Sequence, residues 1–171
     1  MKKEKKFILL CCLVYFTSYI TRINYGAAIV EIVSFMGIKS SVAGIAVTCS
    51  FISYGVGQLI SGFLGDRINP KLLVSIGLII TAIANIMVAL VGSIYAIIVI
   101  WTINGFAQSL MWPPLVKIMT QSLSVEQYKK GCALVNISAS VATIFIYLLV
   151  PVCIAAYNFK LIFIFSAIFA V

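Results

Sequence analysis

The sequence predicts an all-α integral membrane protein, and three observations carry that reading. Hydrophobic residues make up 63% of the chain and charged residues only 9%, where an ordinary soluble domain carries about 25%. The mean hydropathy is +1.19. The charges that exist are gathered into short basic segments between long uncharged runs.

The first apolar run extends from Phe7 to Val30 behind a basic tail at residues 1–6, and Arg22 is the one charge within it. About 20 apolar residues suffice to cross the ~30 Å hydrocarbon core, so a helix over about 7–30 spans. The second, over 42–64, carries no charge. Residues 72–116 are also uncharged, and as one helix they would be roughly 68 Å long. They must fold back, and Gly92-Ser93 is the turn signal near their middle, which divides them into spans over about 72–91 and 94–116. A fifth span covers 131–155, ending near Tyr157-Asn158. A sixth begins at 159 and stops at Val171, about 20 Å of helix and too short to cross. The expectation is therefore five spans and an incomplete sixth, a fold truncated within that helix.

Lys and Arg set the orientation. With the amino terminus cytoplasmic, Lys2, Lys3, Lys5, Lys6, Arg67, Lys71, Lys117, Lys129 and Lys130 lie inside, while only Lys39 and Lys160 lie outside. The expected location is the plasma membrane, multi-pass, with residues 1–6 as a cytoplasmic tail. Lys2 to Lys6 before an apolar run resembles a secretory signal, and Cys11-Cys12 a lipoprotein site, but the run exceeds a signal core and no small-residue cleavage pattern precedes either cysteine.

Several functions are excluded. The net charge of +8 is dispersed among loops and forms no basic face with exposed aromatics, so no nucleic-acid partner is expected. Intramembrane hydrolysis needs a nucleophile with a base or metal ligands. The chain has no histidine, and Glu4, Glu31, Asp66 and Glu126 lie outside the predicted cores. No catalytic residue, metal or cofactor is expected. Cys11, Cys12, Cys49, Cys132 and Cys153 show no C-x-x-C spacing and read as small packing residues.

Function is expected on the polar stripes. A guanidinium at the bilayer centre costs roughly 2.5–3.5 kcal/mol on insertion scales, so it turns toward a partner or a wet cavity. Tyr15, Tyr19 and Arg22 share one helical face, and Asn24 points away from it. The second span offers Ser50, Tyr54, Gln58 and Ser61 on one face, with a small-residue ridge of Ser53, Gly57, Ser61 and Gly65 suited to close helix approach. The fourth offers Trp101, Asn104, Gln108 and Trp112 before Pro113-Pro114, and the fifth Asn136, Ser138, Ser140 and Thr143. The fourth-span face is the natural wall opposite Arg22. Substrate contacts are thus expected from Arg22, Tyr15, Tyr19, Gln58, Asn104 and Gln108.

Gly62-Phe63-Leu64-Gly65-Asp66-Arg67-Ile68-Asn69-Pro70-Lys71 joins the second and third spans. It resembles the signature loop of the major facilitator superfamily, in which Gly62, Gly65, Asp66, Arg67 and Lys71 would form a turn and small ionic latch that serves conformational change. Tyr15-x-x-x-Tyr19-x-x-Arg22-x-Asn24, Tyr54-Gly55, Asn104-Gly105-Phe106-Ala107-Gln108 and Trp112-Pro113-Pro114 further resemble the organophosphate:phosphate antiporters, which include glycerol-3-phosphate and hexose-phosphate transporters. The resemblance implies the amino-terminal six-helix half of that fold, residues 7–171, with the carboxy-terminal half of the transporter missing. It implies secondary transport of a small organic anion by alternating access, with Arg22 on the substrate phosphate and the lipid bilayer as the other partner. A non-transporting receptor or sensor, or an inactive truncated product, is the alternative. Two positions depart from the family: Gln58 stands where it has a lysine, and Ala139 where it has a histidine. One cation then faces the cavity, which leaves both a phosphate ester and a monoanion such as a carboxylate open.

Overall fold

The computed structural model describes residues 2–156 and 158–170. Tyr157, near which the fifth span was expected to end, and Val171, the expected end of the sixth, lie outside the described residues. The helices are α1 (Lys2–Ala27), α2 (Ile29–Met36), α3 (Ser40–Arg67), α4 (Pro70–Leu90), α5 (Ile94–Ser109), α6 (Trp112–Ser122), α7 (Val125–Ala156) and α8 (Lys160–Phe169). Among the described residues five spans are long and apolar enough to cross a membrane, α5 and α6 together forming one of them. The protein is a multi-pass membrane protein.

Two expected spans are divided. The first helix ends at Ala27, not 30, and α2 continues to Met36. At the junction the Ala28 N–H donates to both Asn24 O (3.0 Å) and Tyr25 O (3.2 Å). Gly37 closes α2 in the left-handed region at φ 63° and donates to Val33 O, a conformation that costs glycine nothing. The fourth span breaks after Ser109 and then runs on to Ser122. Pro113 and Pro114 have no N–H to donate one turn back to the carbonyls of Ser109 and Leu110, and at the break Leu110 and Met111 donate three residues back, to Ala107 O and Gln108 O. The prolines then open α6 at its first positions, where a missing donor is harmless. Two elements extend outward: α3 covers 40–67 where 42–64 was expected, and α7 starts at Val125 where 131 was expected. Asn69 caps α4, its side chain accepting the Lys71 N–H at 3.0 Å, with Pro70 behind it.

The close pairings rest on small residues. A Cβ at Gly57 would strike Ser109, one at Gly105 the Ser50 carbonyl oxygen, and one at Gly77 the Ala107 carbonyl oxygen. Gly57 and Gly105 draw α3 and α5 together, and Gly77 draws α4 against α5. Gly57, Ser61 and Gly65 of the small-residue ridge are all buried.

An uncharged polar network ties α1, α4 and α5. Ser18 donates to Gln108 Oε1 at 2.5 Å, and Gln108 Nε2 donates to Thr21 Oγ1 (3.0 Å) and Thr81 Oγ1 (3.4 Å). Asn24 donates to Asn85 Oδ1 at 2.6 Å. The Thr21 carbonyl accepts from Asn85 (3.1 Å) and from Asn104 (3.3 Å). Each polar atom satisfied in this way avoids a penalty of about 1–3 kcal/mol for a buried group left bare.

The basic segments share one end of the bundle. Lys117 on α6 reaches Asp66 at the end of α3. Gly131 faces Met119, Leu123 and Ile8, and Lys71 lines a groove with Phe7, Leu10 and Leu115. Lys160 lies at the other end, over the Phe35 ring at 5.6 Å.

Candidate functional site

Arg22 lines a cleft of about 350 Å³ formed by α1, α3, α5 and α7. Ile23 and Gly26 join it from α1, Val47, Ser50, Phe51 and Tyr54 from α3, Trp101 from α5, and Thr143 and Tyr147 from α7. The guanidinium carbon lies over the Tyr19 ring at 4.4 Å and over the Tyr54 ring at 5.0 Å. Cation–π contacts are worth about 0.5–1 kcal/mol where exposed and ~2 or more where desolvated. Among the described residues no carboxylate lies within ion-pair distance of Arg22; the ion pairs there are Lys117–Asp66 and Lys130–Glu126. Its charge has no fixed counter-ion among the described residues.

The expected site residues fall into three groups. Tyr19 and Arg22 meet as the helical spacing implies. Tyr15 is buried behind them, its ring 5.0 Å from Tyr19 and 4.9 Å from Trp112. Gln58 is outside the cleft lining and donates to Tyr54 Oη at 2.6 Å. Asn104 and Gln108 are brought into the α1–α4–α5 network, 0% and 1% exposed, and do not line the cleft. Of the face expected opposite Arg22, Trp101 alone lines it. Asn104 Oδ1 is buried with no hydrogen-bond partner among the described residues.

Ser50, Tyr54 and Thr143 lie on polar stripes legible in the sequence but were not among the expected contacts. Tyr147 was missed, although it lies one turn beyond Thr143 on the same face. The other α7 polar groups bond to their own helix: Asn136 to Cys132 O, Ser138 to Val135 O and Ser140 to Asn136 O. Ala139 is buried with Tyr15, Leu115 and Val135.

The loop differs from its expected latch. Asp66 pairs with neither Arg67 nor Lys71. Lys117 donates to Asp66 Oδ1 and to the Gly65 carbonyl, both at 2.8 Å, and so holds the end of α3 to α6. Arg67 lies over the Phe63 ring at 4.2 Å. The Lys71 N–H serves the Asn69 cap, and Gly62 has open space around it.

The family model described as Major Facilitator Superfamily matches residues 11–171. The chain belongs to that superfamily. The probable hexose phosphate transport protein of Chlamydia trachomatis is 34% identical over 106 residues, which cover 62% of this chain and 23% of that protein. The membrane sensor protein UhpC of Escherichia coli is 32% identical over 142 residues, covering 83% of this chain and 31% of that protein. The chain thus matches about a third or less of the length of these relatives. A crystal structure of the peptide transporter POT in complex with sulfate aligns with a TM-score of 0.71 at 19% identity, covering 96% of this chain and 35% of that one. That likeness establishes the fold of this superfamily member.

Proposed function

We propose that this chain is the amino-terminal half of a secondary active transporter that carries a small organic anion by alternating access, with a sugar phosphate as the leading substrate class. Arg22 carries the proposal: its guanidinium lines a cleft without a carboxylate partner among the described residues. A half-buried cation within a membrane span is stable only when something anionic or wet meets it. Transporters of this architecture bind at the interface of two repeats and rock one against the other, and the superfamily match and the hexose phosphate relative support that assignment. Tyr19 and Tyr54 shape the site around the guanidinium.

The test is exchange in vesicles. The protein that contains this chain is reconstituted into liposomes loaded with inorganic phosphate, and uptake of labelled glucose 6-phosphate is followed against glycerol 3-phosphate and acetate as competitors. Saturable uptake inhibited by an organic anion is the expected result. The similarity to UhpC favours one rival, a sensor, for which the anion binds without flux. Neither binding nor flux with any of these anions overturns both readings.

The orientation proposed places the basic end in the cytoplasm, since Lys5, Arg67, Lys71, Lys117 and Lys130 sit there while Lys39 and Lys160 do not. In a variant with the native cysteines replaced, Ser93→Cys should react with an impermeant thiol reagent from outside. Reaction only after permeabilisation reverses the orientation.

A further inference from the structure

We infer that Gln58 does not contact the transported anion but is a positioning residue, which holds Arg22 in place through Tyr54. The inference rests on the anion site proposed above. Three contacts run in series. Gln58 Nε2 donates to Tyr54 Oη at 2.6 Å. The Tyr54 ring lies under the Arg22 guanidinium at 5.0 Å, with Tyr19 at 4.4 Å. Arg22 and Tyr54 line the cleft and Gln58 does not.

The geometry gives each partner a distinct task. Gln58 and Tyr54 lie one turn apart on α3, so their bond fixes the phenol against the helix that carries it. A tyrosine has a free χ1 and χ2, and tethering its hydroxyl removes much of that freedom. The ring that remains is a rigid platform for the cation. Arg22 rides on a flexible stem with about 2 kcal/mol of rotamer entropy, and two platforms from two helices restrict it before any anion arrives. Pre-organisation of this kind raises affinity without adding a contact to the ligand.

A double-mutant cycle separates positioning from contact. Binding of glucose 6-phosphate and of inorganic phosphate is measured on the full protein in nanodiscs for Gln58→Met, Tyr54→Phe and the pair. Gln58→Met keeps the length of the side chain and removes the donor. Tyr54→Phe keeps the ring and removes the acceptor. Each should weaken binding about threefold to tenfold, the scale of one ordinary hydrogen bond, and the second change should add nothing to the first. Independent, multiplying losses would mean that Gln58 meets the anion itself, and would overturn the inference.

A ligand-free readout keeps the test decisive. Nitrogen-15 labelling at arginine gives side-chain Nε–H signals, those of Arg22 and Arg67 being assigned by their loss in Arg22→Lys and Arg67→Lys, with Arg67 as internal reference. Gln58→Met and Tyr54→Leu should both move or broaden the Arg22 signal and leave that of Arg67 in place. An unchanged Arg22 signal in Gln58→Met also overturns the inference. Failure of the proposed function looks different: Arg22→Lys would then bind as wild type does, whatever the cycle gives.

Discussion

If Arg22 meets the anion as proposed, Arg22→Lys should lower anion affinity by tenfold to more than a hundredfold although it preserves the charge. A guanidinium is planar and presents paired N–H donors that match a carboxylate or phosphate edge, while an ammonium is a compact point charge. Loss of a charge-assisted hydrogen bond costs about 1.5–3 kcal/mol, and each 1.4 kcal/mol is about tenfold in affinity. Lysine also forfeits the flat face that lies over Tyr19 and Tyr54. Arg22→Ala goes further, removing the charge as well. Both are checked by anion binding and by the yield of folded protein. A structural role would show as poor folding with normal affinity. Because no carboxylate among the described residues pairs with Arg22, neither change strands a buried acid. The loss should therefore appear in binding first.

Gly105→Ala should be the most disruptive single-methyl change in the bundle. The new Cβ would overlap the carbonyl oxygen of Ser50, which is backbone and cannot swing aside as a long side chain can. The helices α3 and α5 must separate, and overpacking of this type costs about 1–3 kcal/mol, occasionally more. Ser50 also lines the Arg22 cleft, so the separation should weaken anion binding together with stability. Gly55→Ala is the control, since nothing lies within 4 Å of a Cβ there; its effect should stay within about 0.5 kcal/mol. Thermal unfolding in detergent reads both. Equal midpoints for the two variants would show that the α3–α5 contact is not close.

The spans were legible because bilayer thickness acts on composition alone, and Tyr19 with Arg22 were legible because helical spacing puts them on one face. Close approach of α3 was visible in the ridge of Gly57, Ser61 and Gly65. What spacing does not tell is which neighbour a face meets. Asn104 and Gln108 share a stripe with Trp101, yet α5 is enclosed on several sides. The amides turn to Thr21, Thr81 and Ser18, while the indole reaches the cleft. Uncharged amides can be satisfied by neighbouring helices in this way; Arg22 finds no carboxylate among the described residues. The partner of Asp66 was hidden for a different reason, since Lys117 is 51 residues away and only the folded chain brings them together. The break at Ser109 was foreshadowed by Pro113-Pro114, whose effect falls one turn earlier in the chain than the prolines themselves.

The network that ties α1, α4 and α5 is built from Ser18, Thr21, Asn24, Thr81, Asn85, Asn104 and Gln108. None of these side chains gains or loses a proton near neutrality, and the chain has no histidine. Acidification near neutrality therefore leaves this internal bonding unchanged. A phosphate ester, by contrast, changes charge near pH 6. If such an ester is the cargo, the pH profile of its binding should carry the ionisation of the solute, with no contribution from this network.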